Sequence, residues 1–257
     1  MKQQTISADH VYYFQMKLAG VNIEVECKNG REYSKCKPYL ASFETPEIVV
    51  GASEEEIIER QKTREQMLGR PISEADEVEG IESQIIYEKI VGQMIQHKIL
   101  LMHGSVVALE NCACMFTAPS GVGKTTRTRL WLQEYPSSFV VNGDKPLIRV
   151  DENEVIACGT PWCGKEGWNK NVMIPLQAIF LLERVDNDRD SSIKEVSFTE
   201  ALPMLLSQTY CPSGLGKICN VVRLLRDFDG KVKFYLFRST PTLDSIRLAH
   251  DAIYVKQ

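Results

Sequence analysis

Hydrophobic and polar positions alternate near the start of the chain. Val21, Ile23 and Val25 are separated by Asn22 and Glu24, a period of two that predicts a half-buried strand. Val11-Tyr12-Tyr13-Phe14 is aromatic and β-prone and predicts another, and Asn29-Gly30 reads as a hairpin turn. The pattern then becomes helical. Ser53-Glu54-Glu55-Glu56 forms a capping box, so a helix is expected to about Leu68, stopped by Gly69-Arg70-Pro71. Ser73–Glu79 is acidic and reads as an exposed loop. Ile81, Ile85, Ile90, Val91, Met94 and Ile95 recur at roughly helical spacing and predict a second helix.

A second part opens at Ile99. Ile99–Met102, Val106–Leu109 and Cys112–Thr117 read as short strands. A glycine-rich segment, Ala118–Thr126, follows and runs into a helix through about Leu132. Ser137–Val141 reads as a strand, and Ala178–Glu183 as a buried one. Phe198–Ser207 reads as a helix, which requires Pro203 in its first turn. Ile218–Leu225 is a helix, Lys231–Phe237 a strand, and Leu243–Ile253 a closing helix begun at Thr240-Pro241. The expected organisation is a region 1–98 without a chemical motif, which flanks the second part or presents a partner surface, and a region 99–257 that carries the motifs.

Charge and composition narrow the classes. Lys and Arg total 30 against 34 Asp and Glu, a net charge of −4, with no basic stripe, which argues against nucleic-acid binding. No apolar run reaches membrane-spanning length, so no membrane partner is expected. Met1–His10 is polar and lacks the apolar segment of a secretion signal. A cytoplasmic location with reduced thiols is therefore expected for the eight cysteines, and Cys112-Ala113-Cys114 lacks zinc-site spacing.

Ala118-Pro-Ser-Gly-Val-Gly-Lys-Thr-Thr126 has the spacing of a phosphate-binding loop, with Ala118 in place of the first glycine. Gly121 and Gly123 let successive N–H groups turn inward on phosphate oxygens, and the helix that follows adds its positive end. Lys124 supplies a charge to the β and γ phosphates, and the Thr125 hydroxyl is a Mg²⁺ ligand. The candidate nucleotide-binding residues are Ser120, Gly121, Val122, Gly123, Lys124, Thr125 and Thr126. Asp144, in the turn Asn142-Gly143-Asp144, stands where a strand end after such a loop places a metal ligand or a proton acceptor. A glycine in that turn is also suited to positive φ. In the loop Gly159–Glu166, Lys165 is a candidate contact to the transferring phosphoryl group and Trp162 a candidate packing surface for a substrate. Solvent is the default for Arg127 and Arg129, and His10, His97 and His250 have no partner pattern.

These segments together resemble the catalytic domain of the HPr kinase/phosphorylase family, which shares its fold with phosphoenolpyruvate carboxykinases. His103-Gly104-Ser105, Ala118–Thr126, the Asp144 segment and Gly159–Glu166 follow the family's order and spacing. The likeness is strong over Ile99–Glu183, weaker through Gln208–Pro212 and Thr240–Asp244, and nearest to small bacterial HPr-kinase-like proteins often found beside peptide-modification genes. The resemblance implies an α/β fold with a P-loop kinase core, mixed β-sheets and flanking helices. It implies ATP as phosphoryl donor, Mg²⁺, and a serine of a peptide or protein as acceptor, with a small-molecule hydroxyl left open. It implies catalytic roles for Asp144, Lys165 and His103 and metal binding by Thr125 and Asp144. The number of copies in an assembly stays open. Relatives carry two adjacent aspartates where this chain has Gly143-Asp144. If the missing carboxylate limits catalysis, Gly143→Asp is expected to raise phosphotransfer; if Asp144 performs both roles it is expected to do little, and in a binding module it is expected to produce no turnover. A catalytically weak or inactive nucleotide-binding regulatory or scaffold module is the alternative. Carboxykinase-type decarboxylation ranks third.

Overall fold

The structure, a computed structural model, describes residues 11–28, 30–72, 75–186, 191–212 and 215–254. It divides into two units, residues 1–97 and 98–257.

In the first unit, β1 (Tyr12–Leu18) and β2 (Val21–Cys27) pair antiparallel from Tyr12↔Cys27 to Leu18↔Val21. Their turn is Ala19-Gly20, with φ of 50° and 88°. Two positive φ values match the turn to the twist of the strands. The hairpin expected at Asn29-Gly30 is not made. Asn29 lies outside the described residues, and Gly30 opens helix α1 (Gly30–Cys36). Strand β3 (Ile48–Gly51) then joins parallel to β2. A parallel neighbour needs a crossover rather than a tight turn. Helix α2 (Glu54–Leu68) starts as its capping box dictates: Glu56 N donates to Ser53 Oγ at 3.2 Å, and Ser53 N to Glu56 Oε2 at 2.8 Å. Gly69 ends it at φ 66°. Helix α3 (Ala75–Met94) begins inside the stretch read as a loop. Carboxylates near a helix N-terminus favour its positive end, and Glu77 there pairs with Arg70 at 2.7 Å. Ile72, Ile81 and Ile85 form the apolar cluster beneath.

The second unit contains, in chain order, β4 (Ile99–Leu101), β5 (Gly104–Leu109), β6 (Cys112–Thr117), α4 (Lys124–Glu134), β7 (Phe139–Asn142), β8 (Leu147–Val150) and β9 (Val155–Cys158). There follow β10 (Met173–Glu183), β11 (Ser192–Val196), α5 (Phe198–Ser207), α6 (Leu215–Arg226), β12 (Lys233–Arg238) and α7 (Leu243–Tyr254). Nine strands form one mixed sheet in the order β4-β8-β9-β10-β6-β5-β7, with β12 joining β10 and β11. β10 runs antiparallel to β9 at Met173–Pro175, passes a bulge between Leu176 and Ala178, and continues parallel to both β6 and β12. Its residues 178–182 are buried on both faces, as a run without alternation requires. Phe180 stacks on Phe116 at 5.4 Å and on Tyr235 at 5.3 Å, and Trp131 of α4 is fully buried in the same core. Pro203 lies well inside α5, not in its first turn, because the cap is Ser197. Buried Ala201 and Leu205 on either side hold the helix there despite the missing N–H. No described helix is long and apolar enough to cross a membrane.

Candidate functional site

Strand β6 ends at Thr117 and the glycine loop turns from it into α4. Gly121 and Gly123 have φ of 84° and 105°, which side chains adopt only under strain, and Gly123 is the residue that caps α4. Lys124 folds back over the loop, and its Nζ donates to Ala118 O at 2.8 Å and Pro119 O at 3.2 Å. It is only 8% exposed. That burial lowers its pKa, while the charge of Asp144 pulls the other way. Thr125 is half-buried in the first turn of α4, and Ser120 and Thr126 are exposed beside it. Ser105 of β5 accepts a hydrogen bond from Thr128 Oγ1 at 2.7 Å, which ties this helix to the sheet.

Arg127 departs from its expected place in solvent. It is fully buried, and its guanidinium donates to Ser239 Oγ at 2.9 Å and to the loop carbonyl of Val122 at 3.2 Å, with Phe237 beneath it at 5.5 Å. Burial, with Arg184 nearby, pushes it down to about 10. Arg127 thus clasps the glycine loop to the end of β12. Arg129 is exposed as expected and pairs with Glu166 at 2.6 Å. Its guanidinium also lies 5.7 Å from the Trp168 ring centroid.

Asp144 is presented by a turn that Asn142 builds. The buried Asn142 Oδ1 accepts from Asp144 N at 2.9 Å and Lys145 N at 2.7 Å. Its Nδ2 donates to Thr160 Oγ1 at 2.9 Å, and Thr160 Oγ1 donates to Lys145 O at 2.8 Å. One amide therefore fixes the Asp144 turn against the Gly159–Glu166 loop. Gly143 is not among the left-handed glycines. Its small size is needed for another reason: a Cβ would lie 3.3 Å from both Cys163 O and Trp168 Cβ. At Gly164 a Cβ would stand 3.1 Å from Asp144 Cβ, so this loop also closes on the aspartate.

The Asp144 carboxylate faces a histidine and a lysine. His103 Nε2 is 3.5 Å from Oδ1 and Lys145 Nζ is 2.8 Å from Oδ2. The His103 hydrogen bond first, then Lys145, hold the carboxyl far below the usual range, against the opposing effect of burial. His103 is held in turn by Gln208, whose O accepts from His103 N at 2.7 Å and whose Oε1 lies 2.9 Å from Nδ1. Gly104 N donates to Asp144 O at 2.9 Å, which fixes the two segments side by side.

His103, Asp144 and Lys124 are thus brought to one end of the sheet. Lys165 is exposed, one residue beyond the glycine that touches Asp144, and Trp162 is half-buried, its backbone N–H donating to Thr160 Oγ1 at 3.2 Å. Lys145, Asn142, Thr160, Gln208 and Arg127 were not anticipated as parts of the site. Lys145 and Asn142 carried a signal, since they flank Asp144; the partners of Gln208 and Arg127 are more than a hundred residues away. A groove of about 570 Å³ lies elsewhere in this unit, between Gln177, Glu195, Phe198 and Lys233 beside the start of β12. It shares no residue with the cluster around Asp144.

No family model matches the sequence, and no curated protein matches it. Among solved structures, the Hpr(Ser) kinase/phosphatase from Coxiella burnetii aligns with 58% of this chain and 90% of its own, at 9% sequence identity and a TM-score of 0.33.

Proposed function

We propose that this protein is a Mg²⁺-dependent phosphotransferase that moves the γ-phosphate of ATP to a hydroxyl, a serine of a peptide or protein. The observation that carries this reading is the convergence of a glycine loop at a helix start, a buried lysine and an ionised aspartate. In the proposal Ser120–Thr126 wrap the phosphates with backbone N–H groups, and Lys124 exchanges its two carbonyl partners for phosphate oxygens. The donor set suits Mg²⁺, which commonly takes one or two carboxylates plus phosphates and waters: Asp144 is kept ionised and partly open, and Thr125 offers a hydroxyl. When bound, the ion neutralises charge on the phosphates. Asp144 orients the acceptor hydroxyl, with His103 and Lys145 holding the carboxylate. Lys165 approaches the transferring phosphoryl group, and Trp162 packs on the acceptor.

One observation favours a second reading, a nucleotide-binding scaffold or regulator without phosphotransfer. The room a second aspartate needs at position 143 is taken by Cys163 O and Trp168. The test is purified protein with Mg²⁺–ATP and serine peptides, read by mass for an added phosphate, with Lys124→Ala in parallel. Phosphopeptide from the wild type alone is expected. Lys124→Ala is expected to fold normally and to lose nucleotide binding by calorimetry. Undiminished ATP affinity in that variant would overturn the phosphate-loop reading, and nucleotide binding without any phosphopeptide would favour the second one.

A further inference from the structure

We infer that Arg129 is a positioning residue: it latches the turn that carries Lys165 to the helix that follows the glycine loop. Lys165 and Glu166 are the two central residues of a four-residue turn, closed by Gly167 N donating to Gly164 O at 3.3 Å. Both end residues are glycines in the left-handed region, with φ of 74° and 68°. Glycine lets the chain reverse there, and it also leaves the turn with more backbone freedom than other residues would. A lysine ammonium rides on a flexible four-carbon stem, so it is placed only as well as the backbone beneath it. The turn therefore needs a hold from outside, and Glu166 provides the handle.

Arg129 Nη2 donates to Glu166 Oε2 at 2.6 Å. Its guanidinium also lies 5.7 Å from the Trp168 ring centroid, so one side chain grips the residues on both sides of Gly167. Glu166 is the more sheltered partner, its side chain 24% exposed against 60% for Arg129. On its other side the turn is seated against the aspartate segment: Gly143 N donates to Trp168 O at 2.9 Å, and Gly164 packs on Asp144. Arg129 adds a hold from α4. It stands five residues after Lys124, about 7.5 Å along the same helix. The helix whose first turn carries Lys124 and Thr125 is thus the one that fixes the turn bearing Lys165. In phosphotransfer, one rigid element would then set the spacing between the donor phosphates and the Lys165 ammonium. That role rests on the proposed function. The latch itself does not.

Amide hydrogen exchange of Gly167, read by NMR on the full chain free of nucleotide, reports closure of the turn, because that N–H is the one that closes it. Arg129→Ala removes both the ion pair and the ring contact, and is expected to speed Gly167 exchange about 3- to 10-fold, as suits an exposed ion pair joined to a cation–ring contact. Arg129→Glu sets two carboxylates together and is expected to speed it further; adding Glu166→Arg is expected to bring it most of the way back. In phosphotransfer to a serine peptide, Arg129→Ala is expected to lose kcat by a similar factor with KM for ATP unchanged, since Lys124 and the glycine loop are untouched. In a Lys165→Ala background the same change is expected to cost nothing more, because a residue that acts by placing Lys165 then has nothing left to place. Unchanged Gly167 exchange in Arg129→Ala would overturn the latch. So would a swapped pair that exchanges no more slowly than Arg129→Glu alone. A loss of kcat that adds in full to that of Lys165→Ala would overturn the positioning role. Faster Gly167 exchange in Arg129→Ala, with no phosphotransfer from the wild type, would count against the proposed function and leave the latch in place.

Discussion

Gly143 is the position where the family pattern and the packing disagree. If the missing carboxylate limited catalysis, the pattern would make Gly143→Asp a gain of activity; the packing argues against a gain. An added Cβ would stand 3.3 Å from Cys163 O and 3.3 Å from Trp168 Cβ. Carbon contacts relax near 3.5–4.0 Å, so the opposing loop must move by a few tenths of an ångström. The backbone at Gly143 is not left-handed, so no φ strain is added. What remains is overpacking, which typically costs about 1–3 kcal/mol. The low end applies, because the opposing atoms belong to a loop rather than a strand. One kcal/mol shifts the melting temperature of a 150–250-residue domain by about 2–4 °C, so Gly143→Ala is expected to melt lower by that amount. Gly143→Asp shares the Cβ and adds a carboxylate near the electron-rich Cys163 carbonyl, so it is expected to melt lower still. The loop it displaces is the one that touches Asp144 through Gly164, and turnover is expected not to exceed that of wild type. Thermal melts run beside phosphotransfer to a serine peptide decide the matter. An Ala variant that melts with the wild type, or an Asp variant more active than wild type, would refute the packing argument.

Two further outcomes are expected. Because the native Asp144 carboxyl is held below its usual range, its stabilising contribution is present above the unfolded value of about 3.9 and lost as pH falls towards the native one. The difference in urea midpoint between wild type and Asp144→Asn should therefore be widest near neutral pH and shrink from about pH 5 downwards; a constant difference would show that the charge contributes nothing. Gly159→Ala would set a Cβ 1.7 Å from Lys170 O, a backbone atom that cannot swing aside. Destabilisation at or above about 3 kcal/mol is expected in chemical denaturation, and a wild-type midpoint would contradict the close approach.

What the sequence revealed was local. The capping box at Ser53, the alternation over Val21–Val25 and the apolar run at Ala178–Glu183 each appear as predicted, because their determinants lie within a few residues. The glycine loop was visible for the same reason. Strands β8 and β9 were missed: both are buried runs with no alternation to mark them. The turn at Ala19-Gly20 lacks the Asn or Asp that marks such turns, and Asn29-Gly30 drew the prediction away from it. Arg127 read as a solvent residue because arginine seldom goes wholly inside, and nothing near it in the chain announces Ser239 or Phe237. Gln208 stood in the weaker part of the resemblance, with nothing near it to announce His103.

The clasps on the site have a consequence for the order in which the chain acquires it. Gln208 reaches His103 across 105 residues and Arg127 reaches Ser239 across 112. Contacts of that span close late, after the loop entropy between them has been overcome. During synthesis the glycine segment emerges long before Ser239 exists to hold Arg127. A product truncated ahead of β12 would carry every letter of the motif without the Arg127 clasp, and one truncated ahead of Gln208 would lack both. The arrangement of this site is therefore a property of the finished topology and not of the motif alone.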